Sequence, residues 1–465
     1  MIYKPQAGKM KDNCMYYSDG KYYHYSMYCK TASYHNDDGI YNNVFLAISN
    51  DGVHFQDYGC VVEDFPKYVW AMKVYRGEDA YYMNSGSFTD DNRQAVLKFW
   101  RSFDLVHWEY CPELDLTAPS DQDVRLDCMN VIKIEDKYYG YATGDYRFWM
   151  SADGTHWNLV NGEIDSSPLP QDEKHFEIAD CVSYDGEFYL LSGAFGHIGI
   201  RGYGVYLYKS VSPLGPFRPI LSAYRINGTS LRWVNMWERC FEKDGEFLAH
   251  NYMYDGYSYE CGSSYLPPIK KVEKHGEGLR LRWWEENRLL YGQLLFEKQK
   301  ISVSADMVNI FGDESKIFQF GDDSVSLPET AIIECKFKYQ PRGFTKFPKA
   351  GILLLEKNGY GTALLFDAMG KFEIARTYEQ KIEAIEDTVG YGSCAPYWIQ
   401  SGEVYSIRIL CRRGLFEIYV NDLYLQTFNN AHFSECLATP FEEFTLISVS
   451  GNAEMTDIAV YAMEL

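Results

Sequence analysis

Short runs of apolar and aromatic residues alternate with polar turns along most of the chain. A polar turn followed directly by strand-forming aromatic residues is typical of a β-hairpin. The turn recurs five times, at intervals of about 50 to 59 residues. The copies are Asp19-Gly20-Lys21-Tyr22-Tyr23, Glu78-Asp79-Ala80-Tyr81-Tyr82, Glu135-Asp136-Lys137-Tyr138-Tyr139, Asp185-Gly186-Glu187-Phe188-Tyr189 and Asp244-Gly245-Glu246-Phe247-Leu248. This spacing suits a four-stranded propeller blade, so the pattern predicts a five-bladed β-propeller.

A second turn motif interleaves with the first. Its copies are Ser49-Asn50-Asp51-Gly52-Val53-His54-Phe55, Ser102-Phe103-Asp104-Leu105-Val106-His107-Trp108, Ser151-Ala152-Asp153-Gly154-Thr155-His156-Trp157 and an altered fourth, Ser210-Val211-Ser212-Pro213-Leu214-Gly215-Pro216-Phe217. We expect these turns to close the outer strands of blades one to four. Because His54, His107 and His156 belong to the repeat, we interpret them as structural turn residues rather than bases or metal ligands.

The repeat stops near residue 290, and alternating strand patterns follow. Segments such as 331–338, 350–355, 405–410 and 415–420 are typical of a two-sheet sandwich. The sequence therefore predicts an all-β protein with a propeller over residues 1–292 and a concanavalin-like β-sandwich over residues 293–465. Short helical pieces are expected near Trp283 to Leu290.

Three acidic residues occupy matching positions in the predicted innermost strands. Asp12, Asp127 and Glu177 stand seven or eight residues ahead of the first turn in blades one, three and four. A single Asp beside a hairpin usually caps a turn, but three in equivalent positions are costly to desolvate together and favour a function. Glycoside cleavage needs such carboxyls, with Glu177 as the acid, Asp12 as the nucleophile or base and Asp127 as the transition-state stabiliser.

These segments resemble the motifs of glycoside hydrolase family 32, the fructan-cleaving enzymes. Residues 9–14, KMKDNC, are similar to the family's W-M-N-D-P-N, which implies Asp12 as the nucleophile. Residues 125–127, RLD, resemble R-D-P with one insertion, and residues 176–180, FEIAD, resemble W-E-C-P-D. The resemblance implies Asp127 as stabiliser, Glu177 as acid/base and a hydrolase, or transglycosidase, acting on fructosides or related furanosides.

Other interpretations stay open. The hairpins and Ser212–Phe217 equally resemble glycoside hydrolase family 43, whose members cleave arabinosides and xylosides with inversion. A non-catalytic carbohydrate-binding propeller is a further alternative, and a protein-interaction propeller is disfavoured by the acidic axis. Sugar contacts are predicted from the rim of the same strands. They are Arg125 and Asp180, which flank the proposed catalysts, and then Trp70, Trp233, Asn235, Trp237 and Glu238.

Composition narrows the possible partners. Aromatic residues make up 17% of the chain, which favours strands and sugar ligands. The formal charge of -21 disfavours nucleic acid and anionic membranes, so an oligosaccharide or a small glycoside is the expected partner. Twelve cysteines without a Cys-x-x-Cys pair predict reduced thiols in the cytoplasm. No metal or other cofactor is expected, because carboxylates suffice for the chemistry.

Overall fold

The computed structural model consists almost entirely of β-strands. The residues it describes are 1–30, 41–89, 94–117, 126–142, 147–165, 176–195, 202–221, 225–232, 234–256, 263–305, 317–342, 348–367, 369–389, 400–431 and 437–465. The first part of the chain forms a five-bladed β-propeller, and the second forms a β-sandwich. The predicted fold class is therefore confirmed.

Each blade is an antiparallel sheet whose first strand is innermost. Blade one consists of β1 (Lys9–Ser18), β2 (Lys21–Cys29), β3 (Asn43–Ser49) and β4 (Gln56–Val62). Blade two consists of β5 (Trp70–Arg76), β6 (Tyr81–Phe88), β7 (Ala95–Ser102), β8 (Glu109–Tyr110) and β9 (Leu116–Thr117). Blade three consists of β10 (Met129–Ile134), β11 (Lys137–Ala142), β12 (Arg147–Ser151) and β13 (Asn158–Val160).

The last two blades follow the same order. Blade four consists of β14 (Phe176–Tyr184), β15 (Glu187–Phe195), β16 (Tyr203–Ser210), β17 (Arg218–Pro219) and β18 (Arg225–Gly228). Blade five consists of β19 (Asn235–Lys243), β20 (Glu246–Tyr254), β21 (Ser264–Tyr265), β22 (Lys270–His275) and β23 (Gly278–Trp283). The innermost strands β1, β5, β10, β14 and β19 contact one another in that order, and β19 returns to β1. The five blades therefore close into a ring.

The hairpin turns between first and second strands lie where the sequence predicts them. Asp19 and Gly20 both have positive φ, 50° and 74°, between the paired residues Ser18 and Lys21. Asp-Gly pairs suit this conformation because glycine has no Cβ and aspartate tolerates the left-handed region. Asp185-Gly186 and Asp244-Gly245 repeat this pair of positive φ values in blades four and five.

The second motif forms a hydrogen-bonded turn between third and fourth strands. In blade one, Asp51 Oδ1 accepts the backbone N–H groups of Val53 and His54, each at 2.8 Å, and Oδ2 lies 2.8 Å from His54 Nδ1. Asp104 with His107 and Asp153 with His156 repeat the arrangement. The interpretation of these histidines as turn residues is confirmed.

The sandwich consists of two facing sheets with a separate apolar core. One sheet consists, in order, of β33 (Leu423–Asn429), β32 (Leu415–Val420), β31 (Val404–Arg412), β26 (Thr330–Gln340), β35 (Gly451–Met463) and β24 (Tyr291–Ala305). The other consists of β25 (Gln319–Ser326), β34 (Phe441–Ser448), β27 (Ala350–Glu356), β28 (Tyr360–Phe366), β29 (Phe372–Tyr378) and β30 (Lys381–Val389).

Propeller and sandwich are joined through backbone pairing. Arg282 of β23 pairs with Leu423 of β33, and the Trp283 N–H donates to the Asp422 carbonyl at 2.8 Å. A short 3-10 helix, Glu285–Leu290, follows where a helical piece was predicted, and another is Pro112–Leu114. The boundary between residues 292 and 293 stays a prediction, and β24 runs across it.

Two further properties concern the helices and the cysteines among the described residues. No helix among them is long and apolar enough to cross a bilayer. Nine cysteines are described, and none of these nine is joined in a disulfide.

Candidate active site

Irregularities in the innermost strands determine how the acidic side chains are presented. The pairing of β1 with β2 shifts register between Lys11 and Asn13, so Asp12 lies at a bulge. The pairing of β14 with β15 shifts between Ile178 and Asp180, directly after Glu177. Bulges interrupt the ladder and redirect side chains, and they commonly lie next to active sites.

Asp12 is half-buried and held by a tyrosine of blade five. The Tyr252 hydroxyl donates a hydrogen bond to Asp12 Oδ1. Burial and the charge of Asp12 raise the pKa of Tyr252 well above its ordinary value, so the phenol remains a donor over the working pH range. This bond orients the Asp12 carboxyl group.

Glu177 is buried, with 2% of its surface exposed, and is also bonded to a tyrosine. The Tyr203 hydroxyl donates to Glu177 Oε2 at 3.1 Å. Gly193 pairs with Glu177 across the sheet, and a Cβ at this glycine would collide with the Tyr203 hydroxyl. Glycine is therefore needed at position 193 for the tyrosine to reach Glu177.

Asp127 is 3% exposed and lies just before β10. The Gly86 N–H donates to its carbonyl at 2.5 Å. The Asn84 side chain accepts from the Met129 N–H at 2.7 Å and donates to the Met129 carbonyl at 2.9 Å. Blade two thus fixes the backbone at Asp127 and at Met129.

The three predicted carboxylates are connected through a few shared neighbours. Burial raises the pKa of Tyr254 well above its ordinary value, and the charges of both Asp12 and Glu177 add to that increase. One phenol therefore lies within electrostatic reach of both carboxylates. Arg239 connects Asp127 with Asp12. It bonds to Cys128, which follows Asp127, and to Asn13, which follows Asp12. Their catalytic roles stay predictions.

Trp70 lies beside an exposed aromatic ring. It is half-buried at the start of β5, stacks against Tyr68 with ring centroids 6.4 Å apart, and contacts Phe88 edge-on at 4.6 Å. Tyr68 is 41% exposed. Trp70 also pairs with Gly86, whose N–H bonds to Asp127. This aromatic pair suits a sugar ring, although the role of Trp70 remains a prediction.

Asp180 is held inside the propeller by an ion pair. Its Oδ2 accepts from Lys73 Nζ and from the Cys240 N–H, both at 2.8 Å. With Lys73 it lines a cavity to which all five innermost strands contribute, and whose lining does not include Asp12, Asp127 or Glu177. In the structure Asp180 therefore connects innermost strands near the propeller axis through Lys73 and Cys240. A contact between Asp180 and a sugar stays a prediction.

The predicted contacts from blade five are buried. Asn235 donates to Asn227 Oδ1 at 2.6 Å and to the Tyr424 hydroxyl at 3.1 Å, so it bonds toward the sandwich. Glu238 is fully buried and accepts from Asn227. The Trp237 ring is covered by the Arg239 guanidinium at 4.4 Å. The bonds of Asn235 and Glu238 thus run to Asn227 and to the sandwich. Arg125 and Trp233 lie outside the described residues.

Three side chains that the sequence analysis did not predict complete the site. Tyr203 and Tyr252 bond to the carboxylates, and Arg239 bonds to the backbone beside Asp12. Tyrosine is abundant in this chain, so the presence of tyrosine at positions 203 and 252 did not indicate a role in the site. A buried arginine in an apolar innermost strand is unusual, and that signal could have singled out Arg239. In the described parts of the chain, no three His, Cys, Asp or Glu side chains come together as metal ligands would.

Comparison with solved structures identifies the fold. A GH32 beta-fructofuranosidase of Bombyx mori superposes with a TM-score of 0.69 at 13% identity, covering 99% of this chain and 92% of that one. Sucrose-6-phosphate hydrolase of Lactobacillus gasseri gives 0.69 at 14% identity, with 99% and 92% covered. This chain has the fold of the glycoside hydrolase family 32 enzymes.

The family 32 fold extends over the whole molecule. Fructan 1-exohydrolase IIa of Cichorium intybus, solved with 1-kestose, superposes with a TM-score of 0.64 at 12% identity, covering 100% of this chain and 97% of that one. No family model and no curated protein matches the sequence. The likeness is therefore one of fold, including both propeller and sandwich.

Proposed function

We propose that this protein is a glycoside hydrolase that cleaves fructosides or related furanosides. The observation that carries the proposal is the linkage of Asp12, Asp127 and Glu177 at the innermost strands of three blades. The Tyr203 hydroxyl donates to Glu177 and the Tyr252 hydroxyl donates to Asp12. The charges of both carboxylates add to the raised pKa of the buried Tyr254. Asp127 and Glu177 are both buried, and buried acids are costly unless chemistry uses them.

Structures of the same fold support the substrate class. One is a Bombyx mori beta-fructofuranosidase mutant in complex with sucrose, and another is a fructofuranosidase of Schwanniomyces occidentalis complexed with fructose. We infer that an oligosaccharide or small fructoside binds where the innermost strand of blade two begins, beside Tyr68 and Trp70. Nine described cysteines without a disulfide suit a reducing compartment such as the cytoplasm.

The proposed mechanism uses each carboxyl once per half-reaction. Glu177 gives a proton to the leaving oxygen while Asp12 attacks the anomeric carbon, and a covalent glycosyl-enzyme forms. Glu177 then takes a proton from water, which releases the sugar and restores Asp12. Asp127 stabilises the positive charge that develops on the sugar. Two inversions at one carbon give retention of configuration, whereas an inverting enzyme would use Asp12 to activate water.

Glu177→Gln tests the assignment. We expect the variant to fold normally and to lose roughly 100- to 10,000-fold in turnover of unactivated substrates such as sucrose and 1-kestose, because the acid is gone. Arabinofuranosides, xylosides and mannosides complete the substrate panel. Sugar release is measured by chromatography, and the configuration of the product by NMR.

The matched control is Glu187→Gln, at the hairpin end of the same blade, which should retain full activity. Full activity in Glu177→Gln would remove the catalytic assignment. Release of inverted arabinose or xylose would favour the family 43-like alternative. Calorimetric binding of an oligosaccharide without any cleavage by the unmodified protein would favour a carbohydrate-binding propeller.

A further inference from the structure

The innermost strand of blade five carries a buried guanidinium. Arg239 is 1% exposed, and the pairing of β19 with β20 shifts register between Met236 and Arg239. Trp237, within this bulge, has a φ of 49°. The bulge releases Arg239 from the regular ladder, so its side chain can cross to other blades.

Arg239 contacts three other blades directly. Its Nη1 donates to the Asn13 carbonyl of blade one at 3.0 Å and to the Met72 carbonyl of blade two. Its Nη2 donates to Cys128 Sγ, at the start of blade three, at 3.2 Å. A planar guanidinium can reach several acceptors at once, whereas a lysine ammonium is a compact point charge on a flexible stem.

Two of these contacts lie beside proposed catalytic residues. Asn13 directly follows Asp12, and Cys128 directly follows Asp127. Burial lowers the pKa of Arg239, but nearby Cys128, Cys14, Asp180 and Asp12 outweigh that effect and raise the pKa above its ordinary value. Arg239 therefore places a permanent positive charge near Asp12 and Asp180.

We propose that Arg239 is the positioning residue of this site. It holds the backbone carbonyl beside Asp12 and the thiol side chain beside Asp127 through its hydrogen bonds, and it brings a positive charge near Asp12. It does so from the interior of the ring, without contact to substrate. This inference rests on the proposed glycosidase function.

A purely structural role predicts something different. If Arg239 only closed the ring, its loss would lower thermal stability but leave the pH profile and the kinetic constants of the folded enzyme unchanged. A positioning role instead predicts a lower kcat at nearly constant KM, because substrate binding does not use Arg239. It also predicts that the acid limb of the pH profile of kcat/KM moves to higher pH, since loss of a nearby positive charge disfavours the ionised form of a carboxyl group.

The test compares Arg239→Met and Arg239→Lys with the unmodified enzyme on sucrose. For Arg239→Met we expect kcat to fall roughly 100-fold, KM to change less than about threefold, and the acid limb of kcat/KM to rise by about one pH unit. Arg239→Lys keeps the charge but not all the bonds. We therefore expect a kcat reduced about tenfold and an acid limb that does not move.

His250→Ala is the matched control. His250 is another buried side chain of blade five, and its Nε2 accepts the Met15 N–H of blade one at 3.2 Å. Burial lowers the pKa of His250 well below its ordinary value, so the side chain is neutral and its removal changes no charge. We expect a lower Tm with an unchanged acid limb and KM.

The outcomes separate the two proposals. A normal kcat and acid limb in Arg239→Met, or a change confined to Tm as in His250→Ala, would overturn the positioning role alone. If Arg239→Met does not fold, an unreduced kcat in Arg239→Lys would overturn it instead. Absence of any glycoside turnover by the unmodified protein would overturn the proposed function, and this inference with it.

Discussion

At the scale of single residues, two of the three proposed catalytic carboxyls accept a hydrogen bond from a phenol. Tyr252 bonds to Asp12 and Tyr203 bonds to Glu177. A phenol stabilises a carboxylate by a hydrogen bond without neutralising its charge. In the proposed roles, Asp12 and Glu177 thus each keep a phenolic donor, while Arg239 bonds to the backbone carbonyl of Asn13 beside Asp12.

Removing one phenolic hydroxyl tests this arrangement. We expect Tyr252→Phe to lower kcat by roughly 10- to 100-fold, because a hydrogen bond to a charged group is worth about 1.5–3 kcal/mol. The acid limb of the pH profile should move to higher pH, since the carboxylate loses a donor. Steady-state kinetics on sucrose between pH 3 and pH 8 measure both effects.

Tyr16→Phe serves as the comparison. Tyr16 lies toward the hairpin end of β1 and contacts Tyr81 edge-on, with centroids 5.7 Å apart. It should leave kcat and the acid limb unchanged. Equal activity of Tyr252→Phe and the unmodified enzyme would show that the Tyr252 bond does not serve catalysis.

At the scale of elements, the turns specify the blades. Burial alone would raise the pKa of Asp51, but the hydrogen bonds from the His54 side chain and from backbone N–H groups lower it to about 2. A carboxyl with a depressed pKa in the folded state stabilises the protein above its unfolded pKa and ceases to do so as the pH falls toward 2. The turn therefore contributes to the free energy of unfolding at neutral pH.

We expect Asp51→Ala to lower the free energy of unfolding by about 1 kcal/mol at pH 7, because the turn is partly exposed and its bonds are modest. The difference from the unmodified protein should shrink between about pH 4 and pH 2. Urea unfolding followed by fluorescence measures it. Asp51→Asn, which can still accept from the backbone, should keep most of the stability and lose the pH dependence. A constant difference for Asp51→Ala across this range would contradict the explanation.

These local elements are also what the sequence could predict. An Asp-Gly turn such as Asp19-Gly20 is encoded by adjacent residues, and the distance from each turn located Asp12 and Glu177 in innermost strands and Asp127 just before one. The partners were not predictable in this way. Tyr252 lies 240 residues from Asp12, and Arg239 lies 226 residues from Asn13. Such pairs meet only because the ring closes between blades five and one, and no local pattern encodes them.

The predicted sugar contacts of blade five illustrate the same limit. Asn235 and Glu238 stand in a strand whose neighbours carry catalytic candidates, so position alone favoured a site role. In the fold, Asn235 bonds to Tyr424, 189 residues further along the chain. The sandwich supplies that partner, and its packing against the propeller could not be inferred from the alternating pattern of its strands.

At the scale of the whole molecule, a buried polar network ties the propeller to the sandwich. Lys270 of blade five lies 3.0 Å from Glu417 of β32, and both side chains are fully buried. Lys270 also donates to Asn251 at 2.8 Å, and the Tyr424 hydroxyl donates to Asn227 at 2.8 Å. Buried polar groups are costly unless satisfied, so this network specifies one arrangement of the two parts.

Glu238 makes the stability of this junction depend on pH. Burial raises its pKa to about 7, although Lys270 and the hydrogen bond from Asn227 oppose the increase. A raised carboxyl pKa favours the folded state fully at low pH, and this contribution is lost as the pH rises from about 4.5 to about 7. The loss amounts to about 3 kcal/mol for a fully buried group. The junction is therefore expected to be tighter in mildly acidic solution.

Glu238→Gln tests this coupling, because glutamine keeps the shape and cannot ionise. The difference in unfolding free energy between this variant and the unmodified protein should change by about 3 kcal/mol in favour of the variant between pH 4.5 and pH 7.5. Urea titrations at a series of pH values measure it. Glu242→Gln, an exposed site on the same strand β19, should follow the unmodified protein throughout. Parallel pH profiles for Glu238→Gln and the unmodified protein would mean that Glu238 does not take up a proton on folding, and the junction would then owe its pH response to other groups.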